Sequence, residues 1–192
     1  GFVLGAECPN DFAVIKTDLQ GTVEWEYIIF GSGHARCVRY IPEIGIFACG
    51  DVRFDEGPVQ DAWYVIRLDL EGNVVWADSI DYTLSQNARE IWPTADGNLL
   101  VSGFTQTEDF FVDRWVIKYD YNGNRLWQYV LPGGRAETCA QAVDGGYVFS
   151  GAVSDNTFGS TDFRLFKLEP EVDIGLHAWR PVIPETGGWL RY

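Results

Sequence analysis

The chain carries only two histidines, His34 and His177, and that limits the catalysis it could run. A serine or cysteine nucleophile needs a placed base, and neither histidine has a counterpart at the spacing that organises the rest of the chain. Four cysteines, Cys8, Cys37, Cys49 and Cys139, follow no CxxC or Cys/His metal spacing. Their even number permits disulfides without requiring them. Carboxylates suited to a cation gather in two loops, with Asp51, Asp55 and Glu56 in one and Glu108, Asp109 and Asp113 in the other. Calcium is the ion such oxygens would take, and plain solvation is the simpler account. Arg36, Arg39, Arg89, Glu90, Glu137 and Arg191 form a third set. Convergent arginines would hold an anion or a sugar acid, unless they pair with Glu90 and Glu137.

What positions these groups is a repeat. Trp25, Trp76, Trp127 and Trp179 recur at intervals of 51, 51 and 52 residues. Before each tryptophan stands a base (Lys16, Arg67, Lys118, Lys167), and two residues after each base an acid (Asp18, Asp69, Asp120, Glu169). Asp11, Asp61, Asp113 and Asp162 open the same segments. Gly50, Gly103 and Gly151 each close an apolar run. Each unit reads as four strands. The first, such as Ala35–Tyr40, is short and leads through a turn such as Ala95-Asp96-Gly97-Asn98 into the apolar run. A variable polar loop follows, then the base-bearing strand, then an Asp-x-x-Gly turn into the tryptophan strand. The aspartate of that turn caps its own backbone and the glycine takes a positive φ. Lys16 with Asp18, Arg67 with Asp69 and Lys118 with Asp120 share a face of the third strand and suit cross-unit or surface ion pairs.

A four-stranded antiparallel sheet repeated at this period is the blade of a β-propeller. One blade cannot bury both faces alone, so stacked blades explain apolar runs that are continuous and not alternating. The repeat tryptophans are then expected to be buried between blades. The chain reads as one all-β domain over 1–192, with units at about 1–34, 35–87, 88–135 and 136–182 and a closing strand at 188–192. Gly1–Gly5 aligns with Ile46–Gly50, a second strand, and Trp189–Tyr192 aligns with Cys37–Tyr40, a first strand. The two termini are therefore expected to complete one blade. They do so within one molecule or by exchange between molecules, and strand pairing is the same in both. Pairing Ile41 with Ile46 puts Val38 across from Cys49, so Cys37 and Cys49 are expected on opposite faces with no disulfide between them.

The pattern Asp-x-Trp-x-x-Lys-x-Asp-x-x-Gly-Asn-x-x-Trp, followed by Asp-Gly-Gly-Tyr-Val-x-x-Gly and best matched from Asp113 to Gly151, resembles the secreted bacterial and archaeal propeller repeats of the SBBP and delta-sixty type. These are distant relatives of quinoprotein-type propellers. The resemblance covers about residues 1–182 and implies a surface or adhesion-like module of unassigned ligand. It does not supply a reaction.

A net charge of −14 argues against nucleic acid, which needs clustered Lys and Arg. It suits an acidic extracellular surface or a basic partner. No apolar run reaches the length of a membrane helix. There is no methionine anywhere, which leads us to expect a processed product or excised piece, its leader removed before Gly1, working outside the cell or at its surface. The leading expectation is a secreted, non-catalytic binding or structural module without a cofactor. Its partner would be a protein, a glycan or further copies of itself, as in a cell-surface or filament subunit. A carbohydrate-binding propeller is the alternative, with Trp92, Phe110, Phe111 and Phe158 offering sugar-stacking faces. A hydrolase or quinoprotein-type enzyme is the second alternative.

Overall fold

A computed structural model describes residues 1–8, 11–30, 33–53, 61–81, 84–106, 111–155 and 160–170. These residues form fourteen strands and no helix, arranged as four antiparallel sheets. The first sheet has β1 (Phe2–Cys8), β2 (Asp11–Thr17) and β3 (Val23–Ile29). The second has β4 (Gly33–Ile41), β5 (Gly45–Val52), β6 (Ala62–Leu68) and β7 (Val74–Ile80). The third has β8 (Ser85–Pro93), β9 (Asn98–Gln106), β10 (Val112–Asp120) and β11 (Arg125–Leu131). The fourth has β12 (Thr138–Gln141), β13 (Tyr147–Asp155) and β14 (Ser160–Leu168). Strand order within every sheet follows the chain, as hairpin connections require. The chain opens at the second strand of its unit, as the alignment of the N-terminus implies. The segment expected as the fourth strand of the last unit, with His177 and Trp179, the sequence 188–192 with Arg191, and Asp55, Glu56, Glu108, Asp109, Phe110 and Phe158 lie outside the described residues.

Three apolar clusters join consecutive sheets. Phe12 and Val14 of the first sheet meet Ile46, Ala48, Ile66 and Leu68 of the second. Phe47, Cys49, Trp63 and Val65 of the second meet Ile91, Leu99, Val101 and Trp115 of the third. Leu100 and Val116 of the third meet Cys139, Tyr147 and Phe149 of the fourth. Alternate residues of a strand point to opposite faces. Phe47 and Cys49 therefore face forward while Ile46 and Ala48 face back, and every residue of β5 is buried. Two buried faces are the physical reason the second strands read as unbroken apolar runs.

The repeated side chains tie neighbours together. Trp25 donates its indole N–H to Leu70 O at 2.9 Å, and Trp76 does the same to Tyr121 O at 2.9 Å. Each ring lies on a turn of the next sheet: a Cβ built on Gly72 would stand 2.8 Å from the Trp25 ring, and one on Gly123 would stand 2.8 Å from Trp76. Trp25, Trp76 and Trp127 are half-buried, not buried. They close the outer rim of each interface, where the fourth strand still meets solvent. The turns behave as their composition implies: Asp18, Asp69 and Asp120 each accept two backbone N–H groups, at 2.8–3.0 Å, across an Asp-x-x-Gly segment. Those acids therefore cap turns, and the bases do not pair with them. Arg67 donates to Ile44 O at 2.6 Å, Lys118 to Asp96 at 2.6 Å, and Lys167 to Asp144, so in the second, third and fourth sheets the third-strand base holds the first hairpin turn of its own sheet, whereas Lys16 pairs with Glu24 of β3.

Three registers differ from expectation. Ile41 pairs with Gly45, not Ile46, and a bulge at Arg36 separates the pairs Ala35↔Gly50 and Cys37↔Cys49. Cys37 therefore faces Cys49 directly, because the tight turn closes one residue earlier. Val3 pairs with Lys16 as Phe47 pairs with Arg67, so Ala6, not Gly5, occupies the place of Gly50. His34 sits inside β4 and not in the loop before it, since the first strands of the second and third sheets run nine residues.

Candidate functional site

The site is built on the first strands. In β4 and β8 a bulge falls after the alanine, so Arg36 and Arg89 are the extra residues of their ladders. A bulge re-aims the side chain it carries. The fourth sheet keeps the backbone pattern, with Arg135 N bonded to Ala152 O and Glu137 N to Ser150 O, each at 2.9 Å. By this pattern Arg36, Arg89 and Glu137 are equivalent, and so are His34, Asn87 and Arg135. The residue after the landmark glycine receives both sets.

In the second sheet that receiver is Asp51, which is buried. It accepts from His34 Nδ1 at 2.7 Å, from Arg36 Nε at 3.2 Å and from Asn87 Nδ2 of the third sheet. In the third sheet the receiver is Phe104. Arg89 stands 5.3 Å from its ring centroid, and Arg135 of the fourth sheet stands 4.5 Å from it. One position thus collects its own sheet's bulge residue and the next sheet's partner, by charge in one case and by a π face in the other.

Arg89 forms an ion pair with Glu137 at 3.5 Å. Burial lowers the proton affinity of the Arg89 guanidinium; Glu137 and Asp51 oppose that shift, and Arg36 and Arg135 reinforce it. The Arg89 guanidinium of the third sheet therefore feels the charge of one arginine from each neighbouring sheet. Arg135 has no carboxylate partner among the described residues. Arg39 belongs elsewhere: it binds Glu90 and donates from Nε to Ile91 O at 3.2 Å, as a strap from the second sheet to the third.

Of the arginine and glutamate set expected from the sequence, the structure joins Arg36 to Asp51, Arg39 to Glu90 and Arg89 to Glu137. Asp51, one of the acids considered for a cation, directs its oxygens at His34, Arg36 and Asn87. Among the described residues, no three His, Cys, Asp or Glu side chains stand close enough to hold a metal. Trp92 and Phe111 are exposed. Arg135 and Asn87 escaped sequence reasoning, although a signal existed: with His34 they lie sixteen residues before Gly151, Gly103 and Gly50. Chemically, the arrangement offers forked donors to an anion. His34 and Asp51 resemble a base with its orienting acid, and the other described side chains that bond Asp51 are Arg36 and Asn87.

No family model matches the chain. A mimivirus protein from Acanthamoeba polyphaga mimivirus, an uncharacterized WD repeat-containing protein, is 31% identical over an 81-residue alignment that covers 33% of this chain and 6% of that protein. The chain thus matches only a small part of that relative's length. A crystal structure of a Bacteroides caccae protein of unknown function superposes with a TM-score of 0.38 and 12% identity, covering 87% of this chain and 71% of that one. The chain is an all-β repeat protein of four antiparallel sheets.

Proposed function

We propose that this chain is a propeller-type, non-catalytic binding module that takes an anionic group of a protein or glycan partner at Arg36, Arg89 and Arg135. The carrying observation is the convergence of these arginines from three successive sheets, in a chain whose net charge is −14. A positive island in an acidic surface focuses a local field that attracts anions, and the guanidinium fork matches carboxylate, sulfate and phosphate. The ring arrangement is supported by interfaces that join each sheet to the next and by the mimivirus relative, since WD repeats build propeller blades. The likeness to SBBP-type repeats and the acidic composition support work outside the cell or at its surface.

The test is titration of the full chain with inorganic phosphate, sulfate and a uronic acid, followed by calorimetry. Arg135→Gln should weaken binding at least tenfold while costing the fold only about 0.5–1 kcal/mol, because among the described residues Arg135 has no ion pair to lose and gives up only its contact with the Phe104 ring, and a neutral sugar should not bind. Equal affinity in wild type and variant would overturn the reading.

A second reading, assembly through strand pairing, is favoured by β1. It lies at the edge of its sheet among the described residues, with Phe2 and Leu4 about half exposed. Such an edge accepts a complementary strand. The terminal sequence Trp189–Tyr192 is the proposed occupant, from this chain or another copy. Deleting it should lower the melting temperature of a closed monomer, or abolish polymers of an exchanged one. A deletion that changes neither removes this reading.

A further inference from the structure

We propose that Cys37 and Cys49 are an oxidisable dithiol, a modification site at which a low-molecular-weight disulfide is reduced while the β4–β5 hairpin becomes cross-linked. The two residues are direct cross-strand partners. Opposed residues of an antiparallel pair have Cα atoms about 4.5–5.5 Å apart, inside the range of about 4.4–6.8 Å that a disulfide spans. Both are free thiols, and they are near enough that each shifts the other's proton affinity.

Their environments divide the labour. Cys37 is half-buried and Cys49 buried. The hydrogen bond from Cys49, with help from the Ile91 N–H and the Arg39 charge, brings Cys37 down to about 7 against burial and Glu90. Burial, first, and the bond to Cys37 push Cys49 well up. Cys37 is therefore the thiolate that attacks, and Cys49 the thiol that resolves. Cys139, in β12 two sheets further on, also lies in this neighbourhood, but burial pushes it up to about 12 and its S–H points at Glu90 O and Leu100 O.

The step balances without any other oxidant. The Cys37 thiolate attacks one sulfur of the small disulfide RSSR, forming Cys37–S–S–R and expelling RS⁻. Cys49 then loses its proton, attacks Cys37 Sγ and expels the second RS⁻. Two protons and two electrons leave the protein, and two RSH form. The bond pins the strand beside the bulge that aims Arg36.

The experiment uses the folded full chain with oxidised glutathione, alkylation of the remaining thiols, and peptide mass mapping. The expected product has lost two hydrogens, links Cys37 to Cys49, and still alkylates at Cys139 after unfolding. Cys49→Ser should hold glutathione on Cys37 as a stable adduct, and Cys37→Ser should form neither adduct nor link. The rate should rise through pH about 7, where Cys37 ionises. Wild-type mapping alone decides the matter if a variant fails to fold. Wild type with both thiols still alkylatable, Cys37 linked to a different cysteine, or a Cys37→Ser protein consuming glutathione as fast as wild type would each overturn the proposal.

Discussion

Gly123 and Gly21 share a conformation but not a neighbour, and substituting each by alanine isolates what the repeat tryptophan contributes. Gly123 has φ 90° and Gly21 has φ 86°. A Cβ on Gly21 meets nothing within 4 Å, whereas one on Gly123 would stand 2.8 Å from Trp76 Cδ2. At Gly21 alanine meets only the left-handed backbone, at roughly 1–2 kcal/mol. The smaller entropy of the unfolded alanine chain offsets about 0.4–1 kcal/mol of that, so the net loss is about 1 kcal/mol. At Gly123 the same methyl must also lift an indole that is stacked near Tyr119, at 6.2 Å between centroids, and bonded to Tyr121 O at 2.9 Å. Overpacking of this kind adds about 1–3 kcal/mol, which places Gly123→Ala near 2–4 kcal/mol. Urea unfolding followed by circular dichroism reads the difference. With a slope of about 2–3 kcal/mol/M, 2 kcal/mol separates the two midpoints by about 0.7–1 M. On a Trp76→Ala background the excess should vanish, as a double-mutant cycle requires for a shared contact. Equal midpoints for Gly21→Ala and Gly123→Ala, or an excess that survives Trp76→Ala, would refute the claim that the tryptophan is seated on the next sheet's turn.

Lys118 is 1% exposed and donates to Asp96 at 2.6 Å and to Tyr147 Oη at 2.9 Å. Lys118→Gln should therefore destabilise the fold by about 1–3 kcal/mol in thermal unfolding, with part of the loss recovered in Lys118→Arg. Acid should unfold the protein through its turns. The hydrogen bonds from Asn73 hold Asp69 below its usual range, as the backbone N–H of Thr22 does for Asp18; at Asp120 the bonds from Asn124 outweigh burial. A depressed folded-state value means that the stabilisation is present above the ordinary value of 3.8 and is lost as pH falls through the lower folded value. Melting temperature should thus hold steady from neutral pH down to about 4 and drop below it. Asp69→Ala should lower the plateau more than the acid end.

The repeat was legible because it is written in bulky and charged residues: tryptophan at the fourth strand, a base on the third, glycine after each apolar run. Strand existence and order followed from these landmarks. Registers did not, because neither a bulge nor the closing pair of a tight turn leaves a compositional trace. The turn that pairs Ile41 with Gly45 sets Cys37, not Val38, across from Cys49, and Arg36 looks like any strand residue although it is the extra residue beyond that pair. The same bulge explains why the site was only half visible. Arg36 and Arg89 were found as strand residues, but Arg135 precedes a first strand of only four residues, Thr138–Gln141, and its role depends on the Phe104 ring of the preceding sheet. Phe104 replaces Asp51 at that position, and no one-residue property connects a carboxylate with an aromatic face. The tryptophans were read as buried because large aromatics bury most area; their place on the outermost strand leaves them half open.

The indole bonds run in one direction along the chain: Trp25 reaches forward 45 positions to Leu70, and Trp76 reaches forward 45 positions to Tyr121. A nascent chain leaving the ribosome therefore cannot complete the contacts of Trp25 or Trp76 until most of the following unit has emerged. Each of these two indoles stays uncovered until the next unit's Asp-x-x-Gly turn arrives to cap it. A chain arrested between the two would expose a tryptophan-bearing rim, and chaperone capture should concentrate there.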